Sequence, residues 1–142
     1  MTNKLPTKTI TMENIEEIYE YIFAPYVKQL KLSFLEIEEG RVVAKLENSR
    51  DYQFVTGAVS GQVLMSVIDT TMSIAMNTSV KSQRGTLSQN NNFIRPAFGD
   101  YFIIESIVQR FGRSIAIGET KVFSEDNKEK IICHATSTFP LK

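Results

Sequence analysis

The sequence predicts an α+β fold in which an antiparallel sheet of about six strands wraps around one long central helix. Three observations predict it. The run from Ser60 to Asn77 has a helical period and is apolar over most of its circumference. Strand-like segments separated by turn residues come before and after it, two before and four after. The gaps between the later strands are too short to hold crossover helices, which favours antiparallel over parallel pairing.

The chain has 142 residues, enough for a single domain with its own core, so residues 1–142 are read as one unit. The formal net charge is zero, and no basic stripe speaks for nucleic acid. No window reads as a basic amphipathic membrane helix, and Gln62, Ser66, Asp69 and Thr70 interrupt the central helix too often for a membrane span. The start, MTNKLPTKTI, lacks an apolar core of the secretory kind. The single cysteine, Cys133, excludes an internal disulfide and a cysteine metal cluster. A soluble, cytoplasmic protein with neither nucleic acid nor membrane as partner is the expectation.

In chain order, residues 1–10 are polar and expected to be loose. Thr11 has the chemistry of an N-cap, and Glu13 would suit the helix dipole in the first turn. Ile15, Ile18, Tyr19, Ile22, Phe23, Tyr26 and Val27 then recur at helical spacing, and Pro25 should end or kink that helix near Phe23 or Ala24. Ser33–Glu38 and Arg41–Glu47 read as a hairpin about Glu39-Gly40. A loop runs from Asn48 to Thr56. After the central helix, strands are predicted at Arg84–Ile94, Tyr101–Arg110, Ser114–Ser124 and Lys130–Phe139. The turns are marked by Pro96, by Phe98-Gly99-Asp100, by Gly112-Arg113 and by Glu125-Asp126-Asn127-Lys128. One deeply buried helix leaves sheet edges open, which invites pairing with a second subunit.

Chemistry is concentrated on the central helix. Gln62, Ser66, Asp69, Thr70, Ser73 and Asn77 fall within roughly 100° of arc. Asp69 is the one acid or base between Asp51 and Lys81. A lone carboxylate on so apolar a helix is costly unless paired or put to use. At the other end, Ser60 suits an N-cap and Gly61 lets a ligand approach the backbone. Free N–H groups of Gly61 and Gln62 would make a donor site for a carbonyl oxygen or oxyanion. Ser60 and Asp69 are about 13 Å apart along the axis, too far to serve one atom. A second copy of the helix running antiparallel would bring one chain's Gly61 near the other's Asp69, so the geometry favours a site shared across a dimer.

These features are similar to those of the hotdog fold, and within it to the PaaI-like acyl-CoA thioesterases. Ser60, Gly61 and Gln62 occupy the positions of that family's His-Gly-Gly, and Asp69 matches the Asp nine residues after the His. Thr86, Asn90, Asn92, Phe93, Arg95, Pro96 and Ala97 match the following Thr and Asn-x-Asn-Phe-x-Arg-Pro-Ala run. The Gly112-Arg113 turn and the closing strand Thr136–Phe139 also fit, so the resemblance spans about Ile15 to Leu141. The chain departs from the pattern at Ser60, at Gln62, and at Phe54, where many members carry an Asn. Val59-Ser60-Gly61 resembles a variant in which Val-Ser-Gly replaces the usual motif and the Asp stays.

The resemblance implies hydrolysis of acyl-CoA or a related thioester in a homodimer, or in a homotetramer built from it. Asp69 would be general base or nucleophile, the Gly61 N–H would polarise the carbonyl, and Thr86 would help position the carboxylate or the water. Substrate contacts are expected from Ser60, Gln62, Ser66, Thr70, Asn90, Arg95 and Arg113, the two arginines as partners for coenzyme A phosphates. No cofactor or metal is expected, because thiolate is a good leaving group and coenzyme A belongs to the substrate. Two further classes stay open: an acyl-thioester-binding protein without turnover, and a hotdog dehydratase, which would need a His base. The one histidine, His134, reads as a strand-surface residue, and Cys133 as packing. Met65, Met72 and Met76 read first as helix packing, and methionines would also suit a tunnel for a flexible acyl chain. Ser60 also has the plain reading of a cap alone, since Gly57 to Gly61 misses the spacing of a nucleophile elbow.

Overall fold

Ser60 opens the central helix by accepting a hydrogen bond on Oγ from the Val63 amide at 3.3 Å. The computed structural model describes residues 9–81 and 83–142. Around that helix the order is α1 (Ile15–Ile22), α2 (Pro25–Lys28), β1 (Leu32–Glu38), β2 (Arg41–Glu47), a short 3-10 turn (Arg50–Tyr52), α3 (Gly61–Met76), β3 (Ser88–Phe93), β4 (Tyr101–Phe111), β5 (Ile115–Ser124) and β6 (Asn127–Pro140). The six strands form one antiparallel sheet in the order β1-β2-β4-β5-β6-β3. This is the layout expected from the sequence, with α3 packed on one face.

Alternation along the strands sends Val42, Ala44 and Leu46, Phe102 and Ile104, Ala116 and Val122, and Ala135 and Phe139 into the core. They meet Val67, Ile68, Met72, Ile74 and Met76 of α3, all fully buried. Each such side chain contributes about 1.5–3 kcal/mol when removed from water. Gly118 on β5 is part of this fit: a Cβ there would stand 2.3 Å from Met72 Cε, so the methionine takes this position because the strand carries no side chain there. The neighbouring strands β4 and β5 also share a buried cross-strand pair, Ser106 and Thr120, whose hydroxyls are 2.7 Å apart.

Several boundaries move from their expected places. Residues 1–8 of the segment expected to be loose lie outside the described residues. Ile10 is 4% exposed and its amide donates to the Asn77 carbonyl at 2.9 Å, so it belongs to the domain. Thr11 does not cap α1. The Asn14 side chain turns back to accept from the Thr11 amide at 2.8 Å and donates to Thr9, which makes a turn and delays the helix to Ile15. Pro25 breaks the helix as expected and starts the separate α2. At the fifth connection Ser124 already pairs with Asn127, so the turn is shorter and β6 longer than the charged run suggests.

The segment that matters most is the one before β3. A strand is expected from Arg84, yet β3 begins at Ser88. Gly85 has φ +97°, a left-handed conformation that glycine accepts and a strand does not. The segment stays beside β6 through the Arg84 and Leu87 amides, which donate to Pro140 and Thr138 carbonyls. It is nevertheless free to swing Thr86 toward α3.

Candidate active site

The polar residues of α3 occupy an open strip between two neighbours. On one side run β3 and the residues before it, antiparallel to the helix. The contacts step along both: the Phe93 ring lies against Gly61, Gln89 Nε2 donates to the Met65 carbonyl at 3.3 Å, and Thr86 Oγ1 donates to Asp69 Oδ1 at 2.5 Å. On the other side stands α2, where the Tyr26 hydroxyl is 3.4 Å from Ser66 Oγ. Gln62, Ser66, Asp69 and Ser73 lie in the strip between them. Because the helix is covered everywhere else, this strip is where a ligand or a second chain can reach it.

Asp69 is half-buried and carries no ion pair among the described residues. Thr86 holds one carboxylate oxygen, and Oδ2 makes no hydrogen bond within the described chain. A carboxylate held at one oxygen and open at the other is placed to accept a proton from water or to attack an electrophile. Ser66 and Thr70 are less available. The Ser66 hydroxyl donates to the Gln62 carbonyl at 2.9 Å, and that of Thr70 to the Ser66 carbonyl at 2.8 Å. Thr70 is 3% exposed, so this expected substrate contact faces the interior.

The N-terminal end of α3 offers donors. Ser60 accepts from Val63, and its own carbonyl takes the Leu64 amide, which leaves the Gly61 and Gln62 amides without an acceptor among the described residues. Glycine at 61 lets the Phe93 ring lie close: a Cβ would be 3.2 Å from it. A groove of about 660 Å³ opens in front of Gly61, with Phe54, Phe93 and Phe98 around it and Arg95 at its border. The Arg95 guanidinium donates to the Ile131 carbonyl at 2.7 Å. Eight residues separate Gly61 from Asp69, about 12 Å of helix, so a single chain holds the donors and the carboxylate apart.

Two expected contacts lie away from this strip. Asn90 pairs with Thr136, and both are exposed on the sheet face opposite α3. Strand alternation starts only at Ser88, after the Gly85 bend, and it turns Asn90 away from the helix. Gln89, which the sequence does not single out, faces the helix from β3 together with Phe93. Arg113 is exposed in the turn between β4 and β5. Lys81, which follows α3, donates to the Gly112 carbonyl beside it at 2.8 Å, so Arg113 lies beyond the C-terminal end of the helix and Arg95 at the N-terminal end. Met65, expected as packing, is 41% exposed on the β3 side of the strip.

The remaining titratable candidates have other places. His134 is on the outer sheet face, with Nε2 3.4 Å from Glu119 Oε1. Cys133 is fully buried, and desolvation pushes its thiol up to about 11. Among the described residues no cluster of His, Cys, Asp and Glu could hold a metal ion, and no helix is long and apolar enough to cross a membrane.

Comparison with known proteins places this geometry. The family described as the thioesterase superfamily matches residues 56–131, a span that includes the whole of α3, Thr86 and the groove-lining segment after β3. A Saccharolobus solfataricus protein provisionally named an esterase is 27% identical over 115 residues, 80% of this chain and 81% of its own. A Haemophilus influenzae thioesterase superposes with a TM-score of 0.81 at 21% identity, covering 98% of this chain and 95% of its own. The Escherichia coli PaaI protein gives 0.79 at 16% identity, covering 92% and 91%. A Streptococcus mutans protein bound to acetyl-CoA gives 0.72 at 17% identity, covering 78% and 88%.

Proposed function

The chain belongs to the thioesterase superfamily, and from that premise we propose that it hydrolyses an acyl-CoA-type thioester to free acid and thiol. The observation that carries the reading is the Asp69 carboxylate, held by Thr86 at one oxygen and open at the other, on the uncovered strip of a buried helix. The acetyl-CoA bound by the Streptococcus mutans neighbour supports coenzyme A as the thiol.

In this reading the carbonyl oxygen rests on the Gly61 and Gln62 amides at the helix N-terminus, where donors and dipole favour developing negative charge. As general base, Asp69 takes a proton from water, whose oxygen adds to the carbonyl carbon. The tetrahedral intermediate collapses with cleavage of the C–S bond, and the thiolate departs and is protonated. As nucleophile, Asp69 adds to the carbonyl carbon and the C–S bond breaks with release of thiolate, leaving an anhydride that water cleaves to the free acid and the Asp69 carboxylate. The steps are carried by the chain's own groups and need no cofactor.

The separation of about 12 Å along α3 argues that donors and carboxylate come from different subunits. The free edge of β3, with Leu87, Phe93 and Ile94 exposed along it, supports a second copy there and hence a homodimer, from which a homotetramer can be built. Thiol release from an acyl-CoA panel tests the reading. Asp69→Asn should fold normally and lose most turnover; turnover equal to wild type would overturn the role of Asp69.

A second reading has its own support. Ser60 and Phe54 stand where the PaaI-like pattern has His and Asn, which favours binding of a thioester without turnover. Stabilisation of the protein by acyl-CoA with no thiol released would select it.

A further inference from the structure

The groove in front of Gly61 has a composition that the proposed reaction does not by itself demand. Three phenyl rings, Phe54, Phe93 and Phe98, stand around it with Leu64, Ile94 and Pro96, and the Thr56 hydroxyl and the Arg95 guanidinium are its side-chain polar groups. Thr56 Oγ1 accepts from the Ala58 amide, and Arg95 is turned to the Ile131 carbonyl. Rings and aliphatic side chains make up most of its wall, and its one charged group, Arg95, lies against a backbone carbonyl. Burying a base edge or a carboxylate against the apolar part of this wall is costly. A hydrocarbon suits it, since each methylene moved from water onto these rings is favourable.

We propose that this groove seats the acyl group of the substrate, that the group is an uncharged apolar chain of several carbons, and that Phe54 sets this preference. The inference rests on the reading above, in which the Gly61 and Gln62 amides hold the thioester carbonyl. With the carbonyl oxygen at those amides, the acyl carbons continue into the groove that Gly61, Leu64 and the Phe93 ring line. Phe54 is half-exposed at the groove wall. The Asn that many family members carry here would offer polar atoms, and phenylalanine removes them. The departure from the family pattern at position 54 thereby becomes a specificity determinant.

Acetyl-, butanoyl-, hexanoyl-, octanoyl- and succinyl-CoA, assayed for thiol release, test this. kcat/KM should rise about two- to fourfold per added methylene from acetyl upward, and succinyl-CoA should fall below butanoyl-CoA. Phe54→Asn should flatten the rise and lower kcat/KM for octanoyl-CoA about tenfold; Phe98→Ala serves the same purpose should that variant fail to fold. Rates independent of chain length, or a preference for succinyl-CoA, would overturn the acyl assignment while leaving hydrolysis intact. If no ester is turned over, hydrolysis itself falls, and calorimetric binding of the same series still decides the groove. Tighter binding with each added methylene upholds the assignment. Affinity independent of the acyl group refutes it and leaves the groove to another occupant, such as a second copy of the chain.

Discussion

Thr86 Oγ1 donates to Asp69 Oδ1 across 2.5 Å, and the two residues come from opposite sides of a sharp change in the backbone. Asp69 sits two turns into α3, rigid in a fully packed helix. Thr86 sits in an irregular stretch between the Gly85 bend and β3. The helix supplies the position of the carboxylate, and the irregular stretch supplies its orientation.

The first prediction concerns that bond. Thr86→Val keeps the shape of the side chain and removes the donor, and a hydrogen bond to a charged group contributes about 1.5–3 kcal/mol. In the proposed reaction kcat should fall about tenfold or more, with KM changed far less, because the group acts through Asp69 and not on the acyl-CoA. Thr86→Ser should restore most of kcat. A parallel loss in Thr86→Ser, or a change confined to KM, would remove the positioning role.

Sharing of the site between subunits has a separate signature. Asp69→Asn and Gly61→Val should each be inactive in isolation, the second because its side chain would meet the Phe93 ring. When they are unfolded together and refolded as a mixture, each mixed dimer would hold one site with both defects and one with none. Activity should return to about a quarter of wild type for random pairing in a two-fold dimer. No recovery despite confirmed mixed dimers would place donors and carboxylate in the same subunit.

Alkaline pH gives a prediction about stability. Burial pushes the Cys133 thiol up to about 11, and the Tyr19 hydroxyl, desolvated and close to Tyr52 and Glu20, is pushed up to about 12. Both groups are neutral when protonated, so the folded chain retains these protons where the unfolded chain has begun to lose them. The cysteine contribution is fully present below about pH 8.5, the ordinary thiol value, and is lost as pH rises toward the folded value. That of Tyr19 is lost above about pH 10. The melting temperature should therefore decline from about pH 8.5 upward, and Cys133→Ala should decline less steeply over the first part of that range. A thiol reagent at pH 8 should modify Cys133 only in denaturant; rapid labelling of the native protein would contradict its burial.

Much of the molecule can be read from one chain of letters. The helical period from Ser60 to Asn77, the turn residues and the strand alternation determine the elements, their antiparallel order and a central helix with one acid. These are local properties: each follows from the steric and hydrogen-bonding preferences of residues close together in sequence. Ser60 as the cap and Gly61 at the free amides belong to the same class. The family resemblance names Thr86 for Asp69, but how the polar residues meet is a property of the tertiary structure. Asp69 finds Thr86 because Gly85 takes a left-handed conformation that no periodicity announces. The same bend puts Gln89 toward the helix and leaves Asn90 outside. Thr70, one residue past Asp69 in the chain, is buried because helical rotation turns it about 100° further round, out of the open strip. The groove at Gly61 gathers Phe54, Phe93 and Phe98 from three separate segments, and only the packing of β3 and its following loop against the helix N-terminus brings their rings together.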